Sequence, residues 1–260
     1  MPSISLTSLL HVARAGLRSQ QLNVDAVANN FANINTTGYK RSRAEFHELL
    51  SDRLEAPPEG SGRISGQAAG SVLVDNQRIF NQGLIQQSEN EWDMAIEGDG
   101  FFLVQMPDGS TAYTRDGSFR LDGEGQLTNI NGYFLVPNIT LPPDTEQTLI
   151  NTDGTVMVRH RGETEPETIA TIELARFANN SGLEKIGENL FKPTDASGEA
   201  QLAQPGTEGY GQVVSYALEA SNVELSNEVV DLIGAQRAYS LIARAMETSD
   251  EMLSIANQLR

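Results

Sequence analysis

The sequence lacks cysteine, and this absence excludes several classes of protein. None of its 260 residues is a cysteine, so it has no disulfide framework, thiolate zinc site, iron–sulfur cluster or cysteine nucleophile. No apolar run approaches the roughly 18 to 20 residues that span a bilayer. Residues 1–10 lack the basic start and the small-residue cleavage site of a secretory signal peptide. We therefore expect no membrane insertion, and no export by a cleaved signal.

Basic residues are scarce as well. The chain carries 18 Lys and Arg residues against 35 Asp and Glu residues, a net charge of −17. Nucleic acid is therefore not expected as a partner, because phosphate contacts need Lys and Arg. The net charge is +4 in residues 1–43, −17 in residues 44–215 and −4 in residues 216–260. The oppositely charged ends can attract each other or neighbouring copies, but solvated helix faces explain the charges equally well.

Motifs for catalysis and ligand binding are missing too. His11, His47 and His160 are far apart, and the sequence has no H-E-x-x-H, phosphate-binding loop, G-x-G-x-x-G after a strand or G-x-S-x-G elbow. Most acidic residues in the middle of the chain lie in turns such as Asp-Gly. A role in the turn is therefore favoured over a carboxylate pair for glycoside hydrolysis or a calcium site. We predict no catalytic residue, no cofactor and no metal site, and we interpret Trp92 as a core or inter-domain anchor.

The N-terminal segment has the pattern of a long amphipathic helix. Apolar residues recur every seven positions from Leu10 to Phe31, with a second row on the companion positions, and Gly38 is suited to follow the helix end. Residues 1–38 are therefore predicted as one helical segment. Its predicted packing residues are Leu6, Leu10, Leu17, Val24, Val27, Phe31 and Ile34.

The C-terminal segment repeats this design. A row of large side chains recurs every seven residues from Leu225 to Leu253, Glu228 and Ser249 interrupt the companion row, and Ser221 or Asn222 is placed to cap the helix. The predicted packing residues are Leu225, Leu232, Tyr239, Ile242, Met246 and Leu253. Further apolar residues lie outside the two rows (Val229, Val230, Ile233 and Leu241). A helix that is apolar on more than one face needs more than one partner.

The middle of the chain has a β pattern. Asp-Gly and Asn-Gly dipeptides separate short apolar runs, which predicts antiparallel hairpins over residues 92–205. Strands are expected at 101–105, 112–115, 119–121, 133–136 and 170–174. Residues 39–91 read as a Gly- and Pro-rich extended arm, and residues 206–260 as a return segment followed by the last helix. The predicted fold is α+β, with the terminal helices paired as a coiled coil and a mainly antiparallel β domain inserted between them.

Three asparagines near the end of the first helix need an explanation, because asparagine is a poor helix former. Asn29, Asn30 and Asn33 either hydrogen-bond neighbouring helices in an assembly or cap a fraying helix end. Tyr39 has two interpretations of similar weight, a contact that fixes the helix end to the arm or an exposed role in subunit contact.

Several segments resemble the bacterial flagellar rod and hook proteins. The stretch Gln20 to Leu50, containing A-N-N-F-A-N-I-N-T-T-G-Y-K, is similar to their N-terminal signature, and D-M-A-I-E-G-D-G-F-F at 93–102 is similar to the entry to their β domain. The C-terminal stretch Ser221 to Ser240 completes the pattern. Within the family, P-D-G-S-T-A-Y-T-R-D-G-S-F at 107–119 and L-E-K-I-G-E-N-L-F at 183–191 resemble the distal rod type.

This resemblance implies a structural, self-assembling subunit of the basal-body rod, the hollow shaft that transmits torque from motor to hook, and no enzyme. It implies that the helices form the inner tube and the β domain the outer layer. The implied partners are other copies, proximal rod proteins, the hook protein and the surrounding rings. The implied location spans the periplasm, reached by flagellar type III export. The alternatives are a proximal rod or hook-like paralogue, the hook protein, or an acidic β-domain binding module or glycosidase dimerised by its helices.

Overall fold

The computed structural model describes residues 6–48, 71–162 and 165–258. It confirms an α+β protein, with two α-helices, one short 3₁₀ helix (Asn180–Gly182) and eighteen strands among these residues. Every strand pair is antiparallel. The chain divides into two compact units. Unit 1 holds both helices and the first two strands, and unit 2 comprises residues 33–41 and 79–223.

Unit 1 is built on the two terminal helices. Helix α1 spans Leu6–Ala32 and helix α2 spans Leu225–Gln258, so they are about 40 and 50 Å long. Helix α1 ends at Ala32, before the predicted end, because the next residues form a turn in which the Thr36 amide donates to the Asn33 carbonyl at 3.1 Å. Two hydrogen-bonded strands also belong to unit 1. Strand β1 (Ser42–Glu48) pairs with strand β2 (Ser71–Arg78) inside the segment predicted as an extended arm.

The two helices pack against each other and run in opposite directions. A Cβ atom built on Gly16 of α1 would lie 3.5 Å from Cδ1 of Ile242 on α2. Further along α1, Asn30 hydrogen-bonds Glu228 near the start of α2. The predicted coiled-coil geometry of this pair stays a prediction. Residues 49–70, within the predicted arm, lie outside the described residues.

Unit 2 is a set of small antiparallel sheets. The largest has seven strands, in the order β14-β15-β6-β5-β9-β8-β7, and a second has the order β10-β11-β12. Three two-stranded ribbons pair β13 with β16, β17 with β4, and β18 with β3. The strands are β3 (Ile85–Gln87), β4 (Met94–Glu97), β5 (Phe102–Gln105), β6 (Thr111–Thr114), β7 (Phe119–Leu121), β8 (Leu127–Asn129), β9 (Phe134–Leu135), β10 (Thr145–Ile150), β11 (Thr155–His160), β12 (Glu167–Thr171), β13 (Leu174–Arg176), β14 (Glu184–Gly187), β15 (Leu190–Lys192), β16 (Gln201–Ala203), β17 (Gln212–Ser215) and β18 (Ala217–Glu219).

The core of unit 2 lies on both faces of strand β5. Side chains alternate along a strand, so Phe102 and Val104 enter one apolar cluster while Phe101 and Leu103 enter the other. The second cluster is aromatic, and the Phe101 and Phe177 rings meet edge to face at 5.8 Å. Because both faces are covered, this strand reads as a continuous apolar run in the sequence.

One predicted strand is wrong in detail. The alternation over residues 170–174 predicted a single strand, but β12 ends at Thr171 and β13 begins at Leu174. Ile172 lies between them, and its amide donates to the Gly154 carbonyl at 2.8 Å, directly after the last β11–β12 pair, Thr155 with Thr171. The two strands then join different sheets. Alternation identifies buried positions, but it does not show where a chain leaves one sheet for another.

Candidate functional site: the terminal helices and the buried polar networks

Helix α2 keeps several large apolar side chains exposed on the face opposite its contact with α1. Large side chains on this face are exposed to a high degree, with Val230 at 67% and Leu241 at 66%. The outer face of α2 is defined here as Val230, Ile233, Arg237, Leu241, Arg244, Glu247, Glu251 and Ile255, all of which are exposed. Ile233, Arg237, Leu241 and Arg244 also line a shallow groove in this face. Four of these eight residues are apolar and four are charged. Isolated exposed apolar residues are ordinary, but several on one face of a helix favour a binding surface.

The packing residues predicted for the first helix differ in burial. Val27 is buried at 4% exposure, and Leu17 and Val24 are half-buried. Ile34 is half-buried as well, but it lies beyond the end of α1 at Ala32, so its predicted place in the helix is wrong. Phe31 is 43% exposed. The predicted positions Leu6 and Leu10 lie in α1, but their side chains are outside the described residues. A role of these residues in contacts between copies stays a prediction.

On α2 the two predicted rows also differ. Leu232, Ile242 and Met246 are half-buried, Leu225 and Tyr239 are exposed, and the side chain of Leu253 is not among those described. The most buried positions belong to the companion row that the sequence shows as interrupted. They are Glu228, Ala235 and Ser249, at 0%, 4% and 7% exposure, and the half-buried Ile242 completes the seven-residue spacing between the last two. The interruptions are therefore buried contact positions.

The hydrogen bonds of Asn30 explain why Glu228 is tolerated at a buried position of α2. Its Oδ1 accepts the Ser42 amide at 2.9 Å, and its Nδ2 donates to the Ser42 carbonyl at 2.8 Å and to Glu228 Oε2 at 3.1 Å. Asn30 is 1% exposed and Glu228 is fully buried. One amide thus ties α1 to both β1 and α2 within unit 1. Sequence reasoning singled out Asn30 but missed Glu228, whose only signal was a charge in an apolar row.

The other two asparagines have different roles. The Oδ1 of Asn33 accepts a hydrogen bond from Thr36 Oγ1 at 3.2 Å, which is a local contact just after the helix end. Asn29 is exposed. Asn30 thus contacts other elements of its own chain. Hydrogen bonds from the asparagines to neighbouring helices in an assembly stay a prediction.

A second polar network lies inside unit 2. Lys40 Nζ donates to Glu219 Oε1 at 2.6 Å, and Arg115 Nη1 lies 3.5 Å from Glu219 Oε2. All three side chains are at most 2% exposed. Burial lowers the pKa of Lys40 below its ordinary value, against the opposing effect of Glu219, and burial also lowers the pKa of Arg115. Sequence reasoning did not single out these residues, because nothing local marks them as partners.

The segment before Lys40 closely approaches the turn between β6 and β7. Gly38 has a φ of +66°, and a Cβ atom there would lie 2.5 Å from the Asp116 amide nitrogen. Glycine is therefore required twice over, by backbone conformation and by space. The Tyr39 side chain is buried at 2% exposure, with Lys185 Nζ 5.2 Å from its ring centroid. An exposed role for Tyr39 in subunit contact is thus wrong, because the ring lies inside unit 2.

The predicted capping of the last helix is also wrong. Helix α2 begins at Leu225. The Asn222 side chain instead accepts the Arg41 amide at 2.7 Å and donates to the Ile79 carbonyl at 2.7 Å. Ser221 Oγ accepts the Val223 amide at 3.3 Å, ahead of the helix. Asn222 therefore joins two separate segments of the chain within unit 2.

The Asp-Gly turns use their carboxylates as backbone acceptors. Asp108 Oδ1 accepts the Ser110 amide at 2.9 Å, and Asp153 Oδ1 accepts the Thr155 amide at 3.0 Å. The described residues contain no group of acidic and histidine side chains that could hold a metal ion. His160 Nε2 lies 3.5 Å from Glu167, and the side chains of His11 and His47 are not described. No helix in the described ranges has the length and hydropathy of a membrane span. Trp92 is half-buried against the main core cluster of unit 2.

Comparison with known proteins places these features in a family. Three family models match, one described as the flagella basal body rod protein over residues 10–40. The others are the hook protein FlgE/F/G D1 domain over residues 95–158 and the basal body rod FlgEFG protein C-terminal region over residues 214–259. The flagellar basal-body rod protein FlgG of Borreliella burgdorferi is 44% identical over 96% of this chain and 98% of its own length.

The chain belongs to the flagellar basal-body rod family. FlgG of Caulobacter vibrioides supports the same conclusion, with 41% identity over 96% of this chain and 98% of the relative. Members of this family are structural proteins and not enzymes. The chain is thus a structural subunit of the distal rod of the flagellar basal body, as the resemblance in its sequence implied.

Two relatives from one organism distinguish the rod type from a paralogue. FlgG of Bacillus subtilis is 36% identical to this rod-family chain over 94% of it. The flagellar hook-basal body complex protein FlhP of the same organism is 26% identical over 98% of it. This chain is therefore more similar to FlgG than to FlhP of that organism, which favours the distal rod type over the hook-like alternative.

Proposed function

We propose that copies of this chain assemble through α1 and α2 into the hollow helical shaft of the distal rod, which transmits torque from motor to hook. The main support for this proposal is the outer face of α2. Its large apolar side chains are left exposed when α1 has covered the opposite side. Burying each such side chain contributes about 1.5–3 kcal/mol, so an assembly that covers them is favoured.

The helix pair is the proposed inner tube. The antiparallel contact of α1 and α2 supports a coiled-coil pairing, in which the packing residues predicted from the heptads meet within and between copies. The acidic segment of residues 92–205 is the proposed outer layer, where its like charge favours solubility. The assignment of residues 39–91 as arm and 206–260 as return segment belongs to the same proposal.

The proposed partners are proximal rod proteins, the hook protein and the rings around the rod. The family models that match this chain are shared by rod and hook proteins, which supports contacts among related subunits. The proposed location spans the periplasm, reached by the flagellar type III apparatus without a cleaved signal peptide. A chain without cysteine suits this route, because it forms no disulfide in an oxidising compartment.

The test removes the apolar character of the outer face in the full chain. The double variant Val230→Glu/Leu241→Glu is expected to fold, with an unchanged helical circular-dichroism signal, but to stay monomeric in sedimentation and to fail to restore motility. The matched control is Ile130→Glu/Leu202→Glu, which alters two exposed apolar residues of unit 2 and is expected to assemble. Normal assembly of the first variant, or an unsubstituted chain that stays monomeric, would overturn the proposal.

A further inference from the structure

Helix α1 exposes a stripe of charged and small residues. Arg14, Arg18, Asp25, Ala28 and Ala32 are exposed and follow each other at helical spacing, with Gln21 between the charges. In the described part of the chain, neither arginine has a salt-bridge partner. From its N-terminal to its C-terminal end, the stripe is first basic, then acidic and then apolar.

The outer face of α2 carries charges in a related order. Arg237 and Arg244 are followed by Glu247 and Glu251, and all four side chains are exposed. Two apolar residues of this face, Val230 and Ile233, lie toward the start of the helix, while Leu241 lies between the arginines and Ile255 lies beyond the glutamates. When two such helices lie antiparallel, the glutamates of α2 can therefore face the arginines of α1, and the arginines of α2 can face Asp25.

The register within one chain does not match these charges. Gly16 faces Ile242 and Asn30 faces Glu228, so the numbers of facing residues add to 258 in both pairs. At this register Arg14 is level with Arg244, and Arg18 is level with Ser240. The opposite charges are therefore not paired inside one molecule, and both stripes point away from the contact between α1 and α2.

We propose that the α1 stripe of a second copy docks on the outer face of α2, antiparallel and shifted by one heptad from the intrachain register. The shift is seven residues, about 10 Å along the helix. It places Arg14 against Glu251 and Arg18 against Glu247. The inference rests on the proposed assembly and names the surfaces and the register that it uses.

The same shift also aligns Asp25 and Ala32 of the α1 stripe with fitting positions on α2. Asp25 comes level with Ser240, between Arg237 and Arg244, so one carboxylate lies beside two guanidinium groups. Ala32 comes level with Ile233, where a small side chain allows close approach to an exposed apolar one. Charge complementarity of this kind fixes register and suppresses wrong pairings more than it adds affinity.

Charge exchange tests the pairing in the full chain. We expect Arg14→Glu/Arg18→Glu and Glu247→Arg/Glu251→Arg each to raise the concentration needed for sedimentable assembly at least about tenfold, because like charges then meet. The variant with all four substitutions is expected to return to within about threefold of the unsubstituted chain. Matched controls are Arg161→Glu/Lys192→Glu and Glu199→Arg/Glu208→Arg, at exposed positions of unit 2, which are expected to change little. If the fourfold variant is not rescued while unsubstituted chains assemble normally, the proposed pairing is overturned and the proposed assembly is not.

Site-directed cross-linking tests the register, since the natural chain has no cysteine. Chains carrying Arg18→Cys are mixed with tagged chains carrying Glu247→Cys and oxidised under assembly conditions. A mixed disulfide dimer is expected, because a disulfide needs Cα atoms about 4.4–6.8 Å apart. The control replaces Glu247→Cys by Ser240→Cys, which is level with residue 18 only within one chain. Equal or greater cross-linking between chains in the control would overturn the proposed shift, and unsubstituted chains that fail to sediment would instead overturn the proposed assembly.

Discussion

Lys40 Nζ and Glu219 Oε1 lie 2.6 Å apart inside unit 2, although 179 positions separate the two residues in the chain. Glu219 also accepts the Gly83 amide at 2.7 Å and lies beside Arg115. One buried carboxylate therefore holds together three segments of unit 2 that are distant in sequence. Removing one member of such a group leaves charges without compensation in a site that water does not reach.

We expect Glu219→Gln to lower the free energy of unfolding by about 3–5 kcal/mol, because Lys40 and Arg115 then remain buried together without an anion. Urea denaturation followed by tryptophan fluorescence measures this loss, since Trp92 packs against the core of unit 2. The control Glu208→Gln alters an exposed carboxylate of the same unit and is expected to change the value by less than about 0.5 kcal/mol. Equal stabilities of the two variants would contradict the role given to Glu219.

Asn30→Asp is expected to destabilise the helices of unit 1 by about 3 kcal/mol or more. The substitution keeps the shape of the side chain, removes the donor to the Ser42 carbonyl and places a second carboxylate beside the buried Glu228. Circular dichroism during denaturation measures the change. Gln21→Glu makes the same chemical change on the exposed side of α1 and is expected to be nearly neutral. A neutral Asn30→Asp variant would mean that this amide does not link the elements.

Gly38→Ala is expected to destabilise unit 2 more than Gly109→Ala does. Both glycines have positive φ, so each substitution costs about 1 kcal/mol in the backbone. Only at Gly38 would the added Cβ meet another segment, at 2.5 Å from the Asp116 amide nitrogen, whereas nothing lies within 4 Å at Gly109. Overpacking adds about 1–3 kcal/mol. Thermal denaturation of the two variants side by side checks the difference, and similar midpoints would refute it.

Acid is expected to weaken unit 2 through its turn aspartates. The Thr155 amide lowers the pKa of Asp153 in the folded protein below its ordinary value of 3.8. The folded state then binds fewer protons than the unfolded state around pH 4, so this stabilisation is present above pH 4 and is lost as pH falls through the folded-state pKa.

The variant Asp153→Asn keeps an oxygen acceptor for the turn and removes the titration. Its stability is therefore expected to fall less steeply than that of the unsubstituted chain between pH 5 and pH 3, measured by urea denaturation at each pH. The variant Asp153→Ala loses the acceptor as well and should be weaker even at neutral pH. An unchanged slope in Asp153→Asn would show that this carboxyl does not contribute to acid sensitivity.

The sequence by itself determined the features that depend on near neighbours. The seven-residue spacing from Leu10 to Phe31 and the long run after Leu225 predicted both helices, and the Asp-Gly dipeptides predicted the hairpins of unit 2. Such patterns are reliable because a helix face or a tight turn is set by residues a few positions apart. The ordered motifs along the chain were also sufficient to indicate the rod family.

Only the tertiary structure decided which distant residues meet. A glutamate in an apolar row, such as Glu228, is equally consistent with an exposed interruption or with a buried contact, and the choice depends on Asn30 reaching it from the other end of the chain. Lys40, Arg115 and Glu219 carry no local signal at all. The pairing of β1 with β2 was missed for the same reason, since the cost of burying a charge or an amide is decided by the partner that the fold supplies.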